Sequence, residues 1–127
     1  MIKLMFCVRR KPDLSVAEFR SRWKDHQVFS RSIAREMRAV RVTHSTTLAI
    51  AENETFQLTR GTAEPFDAVM EVWWKDSGPV TEGFKNKRIQ EMLLRMRADQ
   101  KNIMDLPNSM IFFTSEDEVD EFPQDAP

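Results

Sequence analysis

Between Leu14 and Met37 the chain carries a pattern that an amphipathic helix satisfies. Ser15 is a good N-cap residue, and Glu18 three positions later completes the signature of a capping box. Phe19, Trp23, His26, Ser30, Ile33 and Met37 then recur at spacings of three or four. At about 100° per residue, these six fall within roughly 80° of one another on a helical wheel. Arg20, Lys24, Arg31, Arg35 and Arg38 take other faces, as expected of a solvated surface. His26 therefore stands inside the apolar stripe. An imidazole there must face the core, a pocket or a partner. Val28 and Phe29 leave the stripe, which predicts a bend or break near Gln27–Ser30.

The remaining segments alternate between strand and helix signals. Ile2–Val8 reads as a first strand, with Ile2, Leu4, Phe6 and Val8 on one face and Met5 and Cys7 on the other. Both faces are apolar, which predicts cover on both sides. Val40–Ala51 is rich in β-branched residues and reads as a second strand, with Val42, His44, Thr46, Leu48 and Ile50 in phase. Glu52–Pro65 reads as a long polar loop, over which Phe56 and Leu58 fold onto something apolar. Phe66–Trp74 is a third strand, placing Met70 and Trp74 on one face and Val69, Glu71 and Trp73 on the other. Pro79–Ala98 is helical in two phases, since Ile89 lies about 140° from Phe84 on the wheel. A break near Asn86–Arg88 follows. Ser109–Thr114 is the last strand.

This order, βαββαβ, predicts an α+β, ferredoxin-like fold with a four-stranded antiparallel sheet and helices on one face. The other sheet face is then bare and rich in Trp, Met and Val. Such a face calls for a partner, and a second copy packed sheet to sheet supplies one. Length suits a single domain, here residues 1–116. Residues 117–127 read as an acidic, disordered tail. Six of the 20 acidic residues lie from Glu116 onward, leaving 19 basic against 14 acidic before them. The net charge of −1 argues against a nucleic-acid or anionic-membrane partner. One cysteine, Cys7, excludes an internal disulfide and suits a reducing compartment. No apolar run reaches the length of a membrane span and no signal peptide is evident, so the expected location is cytoplasmic. The eight methionines fill core gaps, although Met also lines adaptable pockets.

The residues resemble those of the EthD-domain family. The likeness runs through the opening Met1–Arg10 segment, then Leu14-Ser15 with Glu18-Phe19, Trp23 and His26. It continues through Val42-Thr43-His44, Arg60-Gly61, Pro65–Val69 and Glu71–Trp74, and ends with Asp99, Asn102-Ile103 and Asp105. It is collinear over about residues 1–118. Gln27-Val28-Phe29 departs from the run with Pro and Leu usual after that histidine. The resemblance implies a dimeric α/β barrel. Its superfamily includes polyketide cyclases and dehydratases, cofactor-free monooxygenases, muconolactone isomerases and haem-handling proteins. EthD members are often labelled oxidoreductases through an association with ether degradation, which no residue here implies directly.

The candidate catalytic residues are His26 and His44, the only histidines. Histidine titrates near neutrality and can take and return a proton in one cycle. Each has a plain alternative: a core histidine bonded to backbone for His26, and a structural role on its strand for His44. Phe19, Trp23, Met70 and Trp74 are the candidate substrate-binding residues, with core packing or a dimer interface as the alternative. Asp99 and Asp105 read first as turn and cap residues and second as catalytic carboxylates. Cys7 reads as a buried, inert thiol. Two histidines without compact ligand spacing make no metal site. Three glycines provide no phosphate loop, so no nucleotide or flavin cofactor is expected.

These features predict a cofactor-independent enzyme acting on an apolar, aromatic or polyketide-like molecule by proton transfer: cyclisation, dehydration, decarboxylation or isomerisation. Two alternatives stand beside it. One is a cofactor-free monooxygenase of the same superfamily. The other is a non-catalytic dimeric module that binds a small hydrophobic ligand.

Overall fold

The computed structural model describes residues 1–125. Its elements are β1 (Ile2–Val8), α1 (Val16–Glu36), β2 (Arg41–Thr46), α2 (Ala51–Arg60), β3 (Ala68–Trp74), α3 (Gly78–Lys85), α4 (Lys87–Ile103), a 3-10 turn (Leu106–Asn108) and β4 (Met110–Ser115). The four strands form one sheet in the order β2-β3-β1-β4, and every neighbouring pair is antiparallel. This is the ferredoxin-like α+β arrangement expected from the sequence, with one addition, α2.

α1 begins at the predicted capping box. Ser15 Oγ accepts from the Glu18 amide (3.1 Å), and the Glu18 carboxylate accepts from the Ser15 amide (3.2 Å). That second bond, made at the surface, holds the Glu18 carboxyl below its usual range. The helix then runs unbroken through Gln27–Ser30, contrary to the expected bend. The apolar residues that suggested a bend need none: Phe29 packs partly against the core, and Val28 is simply exposed, as single surface apolar residues commonly are. The helix closes in a Schellman motif, with Arg38 N–H donating to Arg35 O and Ala39 N–H to Ala34 O. Arg38 occupies the left-handed position (φ 62°) normally given to glycine.

The predicted second strand is too long and the predicted loop is in part a helix. β2 ends at Thr46, where the chain leaves the sheet with Thr47 still tied to Asp67 and Phe66 carbonyls. Leu48–Ile50 then lead into α2. Its signals are short-range. Glu52 and Glu54 sit in the first turn, Arg60 in the last, and Gly61 caps the end at φ 65°. Polarity alone hid them. α2 buries no residue, and Phe56 and Leu58 are 53% and 85% exposed rather than folded over apolar surface. The break between α3 and α4 falls where expected, at Asn86, whose side chain accepts from the Ile89 amide (3.1 Å).

Strand register sorts the sheet into two faces. Val42, His44, Met70, Val72, Trp74, Leu4, Phe6 and Val8 share the face under the helices. They join Phe19, Trp23, Ile33, Ile89 and Ile103 from the helices in one core. Trp74 Nε1 donates to Met37 O (3.0 Å), tying β3 to the end of α1. The opposite face carries Met5, Cys7, Val69, Trp73, Met110 and Phe112, but also Lys3, Arg41, Thr43 and Glu71. It is thus more polar than expected. Lys3 and Arg41 lie over the Trp73 ring (5.2 and 4.7 Å to its centroid), and the indole N–H donates to Glu116 (2.7 Å). Residues 117–125 are exposed and form no helix or strand; the last two residues of the expected tail lie outside the described residues.

Candidate functional site

A cavity of about 290 Å³ lies between the core face of the sheet and helices α1 and α4. Leu4, Phe6, Met70 and Trp74 form its floor, Ile33 and Ala34 one wall, and Leu93 and Met96 the other. The lining reaches the surface at Phe84, Ile111 and Phe113, all exposed. Ser30 is the one hydroxyl, amide or charged side chain in this lining.

Ser30 sits one helical turn beyond His26, about 6 Å along α1. Its Oγ lies 2.7 Å from His44 Nε2. The antiparallel register sets His44 directly opposite Met70, which is why a residue of β2 meets the helix beside the cavity. Burial pushes the His44 pKa down, and the nearby Arg31 guanidinium and His26 add to the effect, to about 4. The ring is therefore neutral at physiological pH.

His26 turns toward α4, not toward the sheet. It is 3% exposed, and its Nδ1 lies 2.6 Å from Asp99 Oδ2. A carboxylate only accepts, so Nδ1 carries the hydrogen of this bond. Trp23 stacks on His26 (6.1 Å, 21°) and on Phe19 (6.1 Å, 15°), and meets His44 edge-on (5.6 Å, 70°). Trp23 Nε1 is buried without an acceptor among the described residues. The Asp99 side chain is 49% exposed and borders a polar cleft with Lys11, Arg22, Asp25 and Asn102. Thus Asp99 joins a buried imidazole to solvent on one side of α1, while Ser30 joins the other imidazole to an apolar cavity.

The six candidate residues consequently divide. Met70 and Trp74 line the cavity. Phe19, Trp23, His26 and His44 form an aromatic layer at its end and are not part of its lining. His26, Phe19 and Trp23, grouped with Met70 and Trp74 as candidates from the sequence, thus stand apart from them: the stripe faces α4 at His26 and the sheet at Ser30. Two residues carry more than the sequence reading assigned them. Ser30 was visible only as a hydroxyl in an apolar stripe. Asp99, read first as a turn residue, lies on α4 in phase with Met92 and Met96, and that phase was the available signal. Asp105 holds the N-cap position of the 3-10 turn, but its carboxylate caps no backbone amide and instead accepts from Asn108 Nδ2 (2.7 Å). Cys7 is half-buried on the opposite sheet face, its pKa raised by burial and by Glu71. Among the described residues no group of three or more His, Cys, Asp or Glu could hold a metal ion, and no helix is long and apolar enough to cross a membrane.

Fold and site together define a ferredoxin-like α+β domain with an apolar cavity whose one hydroxyl, Ser30, is hydrogen-bonded to the imidazole of His44. Residues 11–107 match the model of the EthD domain, and the chain belongs to that family. It is similar in fold to a dimeric protein of unknown function and ferredoxin-like fold from Bacteroides fragilis NCTC 9343. The two are 5% identical, over 91% of this chain and 95% of that one, with a TM-score of 0.61. SnoaB, a cofactor-independent oxygenase from Streptomyces nogalater, is 16% identical over 93% of this chain and 92% of its own, with a TM-score of 0.46. No curated protein matches.

Proposed function

We propose that this EthD-domain protein binds a small, mostly apolar molecule in the cavity and catalyses proton transfer on it without a cofactor. His44, reached from the cavity through Ser30, is the acid–base group of this reading; Met70 and Trp74 hold the substrate, and Phe19, Trp23 and His26 pack behind it as the aromatic layer. One observation carries it: an apolar cavity meets a neutral imidazole through a single hydroxyl, Ser30–His44 at 2.7 Å. Apolar walls exclude water and strengthen that one polar contact. The Asp99–His26 pair stands apart from the cavity and meets the solvent cleft through Asp99 alone. The functional unit in this reading is a homodimer, formed on the sheet face that carries Trp73, Met5 and Phe112; sedimentation at the 14.9 kDa monomer mass would refute that part.

The test is deuterium exchange in D₂O at enolisable carbons of a panel of neutral aromatic ketones and phenols, followed by NMR. At least one member should exchange faster with protein, and His44→Ala should slow it by about 10²–10⁴-fold. A panel with no exchange above background would refute catalysis. Binding without exchange would favour a second reading, sequestration without turnover, which draws its support from the burial of His26 away from the cavity.

A further inference from the structure

We infer that the molecule bound in the cavity presents a hydrogen-bond donor, a phenolic or alcoholic hydroxyl, to Ser30 Oγ, and that it is a neutral compound of one or two rings. This rests on the reading of the cavity as the ligand site and adds the ligand's chemistry.

The polarity of the contact follows from counting protons on Ser30. A serine hydroxyl has one hydrogen to donate and two lone pairs to accept. Two protein groups lie within reach, His44 Nε2 at 2.7 Å and Gln27 O at 3.2 Å. The carbonyl can only accept. If the serine hydrogen goes to Gln27 O, His44 Nε2 must donate to Oγ, and one lone pair remains. If the hydrogen goes to His44 Nε2, both lone pairs remain. As long as either of these bonds is kept, the hydrogen is consumed within the protein and the cavity meets an acceptor; a ligand acceptor would have to displace the Ser30–Gln27 bond. A ligand carbonyl would set oxygen lone pairs against oxygen lone pairs. A ligand hydroxyl completes the set, donating to Oγ without moving any proton off the protein.

Charge and size follow from the rest of the lining. No Lys, Arg or His lines the cavity, so a carboxylate or phosphate would lose its water with no cation to replace it. An apolar cavity of about 150 Å³ suffices for benzene. At about 290 Å³, this one suits a ring system near twice that size.

The experiment compares 2-naphthol, 2-methoxynaphthalene and 2-acetylnaphthalene as ligands of the full chain. NMR shifts of the Met70 methyl and Trp74 indole locate binding, and titration yields affinity. 2-Naphthol should bind about tenfold more tightly than the ether or the ketone. Ser30→Ala should abolish that preference, and continued shifts of the Met70 methyl and Trp74 indole on adding the ether report that the cavity is intact. Equal binding of naphthol and ether to the wild-type chain, or preference for the ketone, overturns the donor assignment and leaves the cavity reading standing. Binding of none of the three at Met70 and Trp74 overturns both.

Discussion

Replacing Asp99 tests whether the buried imidazole of His26 depends on one exposed carboxylate. His26 is 3% exposed, and Asp99 Oδ2 at 2.6 Å is the side-chain partner of its Nδ1. A hydrogen bond to a charged group contributes about 1.5–3 kcal/mol, and a buried donor left unpaired costs about 1–3 kcal/mol. Asp99 is half exposed, so truncation admits water to Nδ1 and brings the loss to about 1–2 kcal/mol. Helix propensity works the other way: Asp→Ala within α4 returns up to about 0.7 kcal/mol. Near the C-terminal end of a helix an acidic side chain also opposes the dipole. A double-mutant cycle with Asp99→Ala and His26→Gln cancels both offsets, and its coupling energy should be about 1–2 kcal/mol. Asp99→Asn keeps an acceptor but not the charge, and should lose about half of that. Urea unfolding at pH 7.5 measures all four corners, and ¹⁵N imidazole spectra of the wild type should show hydrogen on Nδ1. Additive single mutants, with coupling below about 0.3 kcal/mol, would refute the argument that the contact holds His26 in place.

Two further predictions concern His44 and the cavity. The folded pKa of His44, about 4 against an ordinary 6.5, means the unfolded chain takes up the proton first as pH falls. Its contribution should therefore be complete above about pH 6.5 and be lost toward pH 4, by at most about 3 kcal/mol and nearer 1–2 after solvent screening of a half-buried ring. Arg31 and His26 face the same ring and add to the effect; subtracting the stability–pH curve of His44→Gln from the wild type isolates it, and identical slopes would sink it. Ala34→Leu places added methyl and methine groups in the cavity, and should raise stability by about 0.5–2 kcal/mol while weakening 2-methoxynaphthalene binding at least tenfold. A lower melting temperature would show instead that the cavity wall cannot accept the larger side chain.

Much of the architecture was legible in the sequence, because periodicity, caps and strand alternation are local. The stripe from Phe19 to Met37, the Ser15–Glu18 box and the Asn86 break each specify structure through neighbours within four residues. Their order then pointed to the ferredoxin-like sheet, whose helices cover one of its two faces. Where local signals were weak the reading failed. α2 buries nothing, so no apolar stripe marked it. The mixed polarity of the open sheet face needed the register of all four strands, not the alternation of two.

The site lies on the other side of that division. From the sequence, His26 belonged to the apolar stripe, His44 to a strand and Asp99 to a turn region. Which of them meet depends on how far α4 slides along α1 and on the register of β2 against β3, quantities set by side-chain packing between segments 14–73 residues apart. A stripe spanning roughly 80° of a helix is wide enough to touch two neighbours. His26 consequently faces Asp99 on α4, while Ser30, one turn along the same stripe, faces His44 on the sheet. The sequence by itself determined that His26 stands in the apolar stripe of the first helix and that His44 is in phase with Val42 on the second strand. Only the tertiary packing decided that one is wired to solvent by a carboxylate and the other to an apolar cavity by a hydroxyl.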